Sequence, residues 1–345
     1  MTALSAAVSA LRETGMPERA GERVADRLAD VHSLLGDDMS WVNHELSRCA
    51  RDGVTPASDS AAHLLDAGGK RVRPLALLLS AACYGEISAT ARELAVVAEL
   101  VHLATLLHDD VVDDGDERRG RPTSRRIWGN AVSVLAGDLL LTHALERTSS
   151  TAHPEVLAEL FATLRRLVDG EVVQLRGRTK LEVSEDSYFQ IVRDKTASLF
   201  VWAARTGAKV SGAPPRGVAA LGEFGAHLGV AFQLVDDVLD YAGDRQTTGK
   251  AVHADLLEGK LTLPLIRAIA KFPLLSADLH AVRAGDTSAV RRIVAGVHDS
   301  GSCDGVRQLA RTETSAALEA LNVVPPSFAR DLLARITHDL ADRLR

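Results

Sequence analysis

Aromatic residues make up only 4% of this 345-residue chain, and Ala and Leu dominate in their place. Strands draw on aromatic and β-branched side chains, so this poverty argues against a fold built on sheets. Cysteine is also scarce. Cys49, Cys83 and Cys303 share no metal-ligand spacing, which excludes a disulfide framework and a thiolate zinc site and fits a reducing compartment. An excess of positive charge is missing too. The formal net charge of −6 excludes a nucleic-acid partner held by phosphate neutralisation, so basic residues have to be read locally. Finally, long hydrophobic runs are lacking. The clearest, Pro74 to Tyr84, falls short of the about 20 residues a membrane span needs. Arg12 and Glu13 interrupt the N-terminal stretch too early for a secretory signal. The expectation is a soluble cytoplasmic protein with no transmembrane segment.

What is present is helical periodicity. Apolar residues recur at three- and four-residue spacing, within a composition that is 46% hydrophobic and 25% charged. Breaks at Thr55-Pro56, Gly68-Gly69, Gly120-Arg121-Pro122, Ser149 to Pro154, Gly212 to Gly217 and Ser300 to Gly305 cut the chain into roughly ten helices with short connections. We expect one all-α domain over residues 1–345, with residues 1–35 as a helical lead-in and the informative motifs in 68–264. Leu94 to Leu107 and Val132 to Leu145 are almost continuously apolar, as helices at the centre of a large helical protein are.

Against this background two acidic words stand out: Asp109-Asp110-Val-Val-Asp113 and Asp236-Asp237-Val-Leu-Asp240, 127 positions apart and each following an apolar stretch. On a helix the first and last aspartates of each word stack one turn apart, with the second to one side. Crowded carboxylates on an apolar helix raise one another's pKa and call for a cation. Oxygen-only ligands with room left for water and phosphate suit Mg²⁺. A solvated charge run explains one word more easily than two. An EF-hand fails, because placing Gly115 at the loop glycine puts Val112 at a ligand position and Arg121 where the closing Glu belongs. A di-iron carboxylate bundle needs two Glu-x-x-His pairs, and Glu99-Leu-Val-His102 is the one found.

Basic turns accompany the acidic words: Gly68-Gly69-Lys70-Arg71-Val72-Arg73-Pro74 before the first, and Arg118-Arg119-Gly120-Arg121 directly after it. Glycines let the backbone approach a ligand, and guanidinium forks match phosphate oxygens. Arg193-Asp194-Lys195-Thr196, Thr248-Gly249-Lys250 and Glu258-Gly259-Lys260 follow later. Together they describe a pocket for two polyanionic substrates bridged by Mg²⁺.

In this order, GGKRVRP, LLHDDVVDDGDERRGRPT, GEVVQL, KTASLF, FQLVDDVLDYAGD and GK…DLLEGKLTLP resemble a trans-type polyprenyl diphosphate synthase of the isoprenyl diphosphate synthase family. The resemblance implies an all-α barrel of about ten core helices around a deep cavity, a homodimer, and a prenyltransferase that repeatedly condenses isopentenyl diphosphate with an allylic diphosphate. It implies that Asp109, Asp110, Asp113, Asp236, Asp237 and Asp240 hold Mg²⁺, three ions with substrate bound. It assigns Lys195, Thr196, Gln233 and Lys250 to catalysis around the allylic group, and Lys70, Arg73, His102, Arg118, Arg119 and Lys260 to substrate binding. One departure concerns Lys250, where the family's frequent second glycine is replaced in Lys250-Ala-Val-His253.

Chain length is read from the helix that ends in the first word. Thr105 and Ala104 lie one turn before Asp109, and Val101 continues the stripe. None is an aromatic floor, and Leu141 and Leu145 on a neighbouring helix are not aromatic either. The expected product is medium to long, roughly C30 to C50 and octaprenyl-like, released with transient membrane contact. The alternatives are a short-chain C15 to C20 synthase and a regulatory subunit of a heteromeric synthase. Retention of all six aspartates argues against the regulatory subunit.

Overall fold

The structure is a computed structural model and describes residues 18–181, 183–242 and 253–342. In chain order these form α1 (Glu18–Arg51), α2 (Ala57–Asp66), α3 (Val72–Ala82), α4 (Ala89–Val112), the two-residue strands β1 (Glu117–Arg118) and β2 (Arg121–Pro122), then α5 (Ser124–Trp128), α6 (Asn130–Ser150) and α7 (Pro154–Lys180). There follow α8 (Glu185–Ile191), a π-helical turn (Val192–Ala197), α9 (Ser198–Val210), α10 (Pro215–Ala242), α11 (Ala254–Leu257), α12 (Leu263–Lys271), α13 (Leu275–Arg283), α14 (Thr287–Ser300), α15 (Ser302–Ala320), a 3₁₀ turn (Leu321–Val323) and α16 (Phe328–Asp342). The all-α expectation holds. The described residues nevertheless carry sixteen α-helical segments rather than ten. Short pieces such as α5, α8 and α11 lie too close to turns to be separated by apolar period.

Two compact units emerge. One comprises Met1–Phe161, Leu199–Gly225 and Ala320–Ile336; the other comprises Ala162–Ser198, Ala226–Glu319 and Thr337–Arg345. The first is organised on α4. Ser88 caps it by accepting from the Ala91 N–H (3.1 Å), and Leu94, Ala98, Leu100, Val101 and Leu107 are wholly buried. This is the all-round apolar helix that the run Leu94 to Leu107 predicts. α1 lays Val31, Leu35, Met39, Val42 and Leu46 into the same core at helical spacing. It runs without a break past residue 35, so the expected lead-in is not a separate element there.

The other apolar run, Val132 to Leu145, does not behave as expected. α6 exposes Val134 (37%) and Leu135 (58%), and buries Leu140 together with the small residues Ser133, Ala136, Gly137 and Ala144. The reason is close packing. A Cβ on Gly137 would fall 2.3 Å from His108 Nε2, and Ser133 Oγ donates to the Leu107 carbonyl (3.0 Å). Small side chains around Leu140 let this face pack closely.

The second unit packs Leu234, Val238, Leu263, Leu265, Ile293 and Val306 into its core. Among the described residues one helix, Pro215–Tyr241, is long and apolar enough to cross a membrane, and 67% of its most apolar window is buried in the protein. Uninterrupted apolar runs do not reveal it, because Glu223 and His227 break the run. The three cysteines are free and buried.

Candidate active site

In the first unit the basic turns converge. Gly68 and Gly69 have φ of +86° and +159°, and Arg71, which precedes α3, is left-handed at +51°. Two guanidiniums lie directly over Gly69: a Cβ there would sit 2.7 Å from Arg71 Nη1 and 3.1 Å from Arg119 Nη1. Arg71 is buried and donates to Glu99 Oε1 (2.8 Å) and to Asn43 Oδ1 (3.3 Å). Glu99 is only 2% exposed. Its pairing with Arg71 accounts for the Glu-x-x-His spacing without any iron.

Two further arginines are not satisfied in this way. Arg73 lies over the Phe200 ring, 4.8 Å from its centroid, while its Nε is enclosed and has no hydrogen-bond acceptor. Arg119 Nη1 is likewise enclosed without an acceptor. Burial brings the Arg73 guanidinium down to about 10, against a partial counter-effect of Glu99. Burial lowers Arg119 as well. His102 faces the same group. Burial first, then Arg73, Arg119, Arg118 and Arg71, hold its imidazole well below its ordinary value and therefore neutral. Enclosed donors lacking acceptors, in a cationic field, form a site built for an anion that brings its own oxygens.

Arg118 and Arg119 are presented by a hairpin that the composition did not suggest. β1 and β2 pair antiparallel, Glu117 opposite Pro122 and Arg118 opposite Arg121, across the turn Arg119-Gly120. Both turn residues have positive φ (+53° and +72°), the geometry of a two-residue hairpin turn. One result is that Arg118 Nε donates to Asp110 Oδ1 (2.8 Å). Lys70 is exposed.

The first acidic word occupies the C-terminal end of α4. Asp113 is the cap residue, its N–H bonded to the Asp109 carbonyl, and Asp110 and Asp113 are buried. Upstream, Val101 and Ala104 are buried and Thr105 is half-buried, its Oγ1 donating to the His102 carbonyl (2.8 Å). That bond satisfies the hydroxyl on the helix itself, so Thr105 acts as a small side chain. Leu145 is half-buried on α6.

In the second unit the π-helical turn carries Lys195 and Thr196. Such wide turns recur at functional sites. It rests on α7 where Gly170 removes the obstacle, since a Cβ there would lie 2.9 Å from Lys195 N. Lys195 pairs with Glu171, and Lys260 pairs with Glu258 (2.5 Å). Thr196 Oγ1 donates to Gln233 Oε1 (2.9 Å), and Gln233 Nε2 donates to Asp237 Oδ1 (2.8 Å). Asp237 Oδ2 accepts from the Tyr188 hydroxyl (2.6 Å) and the Leu263 N–H (3.4 Å). Burial lifts the Asp237 carboxyl to about 7 although both side-chain bonds oppose the rise. Lys250 lies outside the described residues.

The two acidic words suit a divalent cation. Both lie at the C-terminal ends of long helices, α4 and α10, where the helix dipole adds negative potential. Among the described residues no three His, Cys, Asp or Glu side chains form a closed ligand group.

Residues 55–296 match the family described as Polyprenyl synthetase. That stretch spans both acidic words and every basic turn named above. The chain belongs to the polyprenyl synthetase family. It is an enzyme of the polyprenyl diphosphate synthase class, a prenyltransferase. It is 36% identical over 319 residues to the all-trans-nonaprenyl-diphosphate synthase (geranyl-diphosphate specific) of Rhodobacter capsulatus, covering 92% of this chain and 98% of that one. It is 34% identical over 321 residues to the octaprenyl diphosphate synthase of Escherichia coli, covering 92% and 99%. A polyprenyl synthase from Caulobacter crescentus, solved with calcium and isoprenyl diphosphate, superposes with a TM-score of 0.86 at 36% identity, covering 91% of this chain and 96% of that one.

The sequence singles out the arginines, His102, Thr196 and Gln233, and the fold groups them within their units. Sequence alone misses the residues that hold them: Glu99 and Asn43 behind Arg71, Phe200 beneath Arg73, Tyr188 behind Asp237, and Gly170 beneath Lys195. GEVVQL and KTASLF contain Gly170 and Phe200, so the motif strings held a signal for those two. For Asn43 and Tyr188 no local signal existed.

Proposed function

We propose that residues 1–345 form one catalytic domain of a Mg²⁺-dependent, chain-elongating synthase. It condenses isopentenyl diphosphate repeatedly with an allylic diphosphate to a medium- or long-chain product, roughly C30 to C50 and octaprenyl-like. The observation that carries this reading is the pair of enclosed arginines without acceptors, Arg73 and Arg119, in the unit that also holds the first acidic word. Lys70, Arg73, His102 and Arg119 bind isopentenyl diphosphate. Arg118, Lys195, Lys250 and Lys260 serve the diphosphates. The six aspartates hold the metal, which when bound neutralises charge developing on the leaving diphosphate. Thr196 and Gln233 stabilise the allylic cation with oxygen lone pairs and dipoles already in place. Neutral His102 adds hydrogen-bonding capacity without another buried charge. The released diphosphate takes the proton lost after attack, so no protein base is needed.

Product length is supported by the small, satisfied residues before Asp109 and by the nonaprenyl and octaprenyl names of the relatives. The exposed Val134 and Leu135 on α6 support a homodimer, free buried cysteines support a cytoplasmic setting, and a long apolar product calls for transient membrane contact at release. The purified chain, given farnesyl diphosphate, isopentenyl diphosphate and Mg²⁺, is assayed by mass spectrometry of its products. A dominant C15 or C20 species sinks the long-product reading, and inactivity relieved only by a partner chain sinks the self-sufficient catalyst. Ala104→Phe should shorten the product with activity retained; Thr105→Phe, at a half-buried position, serves if the first variant misfolds.

A further inference from the structure

Four side chains of the second unit form one directed chain of hydrogen bonds. The Tyr188 hydroxyl donates to Asp237 Oδ2, Gln233 Nε2 donates to Asp237 Oδ1, and Thr196 Oγ1 donates to Gln233 Oε1. Both Asp237 oxygens accept, Oδ2 from Tyr188 and Leu263 and Oδ1 from Gln233, so the Gln233 amide turns its NH₂ to Asp237. Its carbonyl oxygen then faces Thr196 and takes the hydroxyl proton. Reversing the amide sets carbonyl against carboxylate, acceptor against acceptor. With its proton committed to Gln233, Thr196 Oγ1 is left with lone pairs to offer.

From this geometry we infer that Tyr188 is a positioning residue for prenyl transfer: it locks Asp237, and through Gln233 it fixes the Thr196 hydroxyl as an acceptor toward the allylic cation. The inference rests on the proposed function, which places Thr196 at that cation. Tyr188 suits the task because it is buried and its ring is fixed edge-on against Phe189, with centroids 5.2 Å apart. Its hydroxyl and the Leu263 N–H converge on the same Asp237 oxygen, so the carboxylate cannot rotate away without giving up both bonds. A hydroxyl free to rotate would present its hydrogen to a developing cation part of the time. A hydroxyl tied to Gln233 does not, so ionisation meets an oriented dipole. Asp237 thereby has a task within the protein whatever else it binds.

The test is a double-mutant cycle on Tyr188→Phe and Thr196→Val, read as the single-turnover rate of the first condensation. Tyr188→Phe keeps the ring and should slow that rate about tenfold, leaving the KM for isopentenyl diphosphate unchanged. Combined with Thr196→Val it should add nothing, because the relay then has no terminus. Multiplying effects, or a Tyr188→Phe rate equal to wild type, overturn the inference. An inactive wild-type chain instead overturns the proposed function, so the two failures are distinct. Should Tyr188→Phe fail to fold, 3-fluorotyrosine at position 188 preserves the shape and alters only the strength of the hydroxyl bond. A first-condensation rate unmoved by that replacement also overturns the inference.

Discussion

Two side-chain groups, one in each unit, stand in opposite states of completion. In the first, Arg73 and Arg119 keep enclosed donors without acceptors, while Glu99 accepts a hydrogen bond from Arg71. In the second, the Thr196, Gln233, Asp237 and Tyr188 bonds close on one another. The contrast matches what each must meet. A diphosphate arrives with its own oxygens, so donors waiting for it have to be left open at a cost in stability. A transient carbocation brings no hydrogen-bonding group, so whatever faces it has to be oriented in advance.

The comparison breaks most visibly in stability. Arg147 shows what a completed cation is worth in the first unit: it binds Glu45 and Glu93 together from α6 and is largely buried. Arg147→Ala leaves Glu93 without its partner and Glu45 with Arg48 alone, and should cost about 3 kcal/mol in urea denaturation. Arg73→Met should behave in the opposite sense. Its KM for isopentenyl diphosphate should rise about 10- to 100-fold, the loss of a charged hydrogen bond. Its melting temperature should not fall, because the variant removes an unsatisfied group and keeps the contact with Phe200. A drop comparable to that of Arg147→Ala would show that Arg73 is part of the scaffold and would end the contrast.

Gly170→Ala sharpens the other side. The added Cβ collides with the backbone at Lys195, so kcat should fall about tenfold or more while the KM for isopentenyl diphosphate stays put, checked by steady-state kinetics. The smallest effect concerns acid. His102 is neutral in the folded protein because its pKa is depressed, and it is free to protonate once unfolded. The unfolded state therefore binds more protons below its ordinary value near 6.5, and stability drops as pH falls through that range. His102→Gln should lose less stability than wild type between pH 8 and pH 5.5, measured by denaturant midpoints at both.

Helical class, both acidic words and the basic turns were legible because each is local: period, charge and glycine lie within a few residues of one another. α4 is the clearest case, since an all-round apolar run has one sensible location. α6 is the opposite case. Its buried face is set by Gly137 against His108, a contact between helices that no hydropathy pattern records. The site follows the same rule. Arg73 could be named from its turn, but that its Nε lacks an acceptor depends on everything around it. Tyr188 and Asp237 are 49 positions apart, and only folding makes them partners.

The π-helical turn at Val192–Ala197 has a consequence for how this enzyme can change over generations. Such a turn holds one residue more than an α-helix would use, and each residue in a helix advances the phase by about 100°. The placing of Lys195 and Thr196 relative to Tyr188 is thus written in the length of the segment as well as in its letters. Substitutions can tune it, but a deletion of one codon there would rewind the turn and swing Thr196 away from Gln233. This stretch should tolerate exchanges of side chain far better than any change in count, and its descendants should inherit that number unaltered.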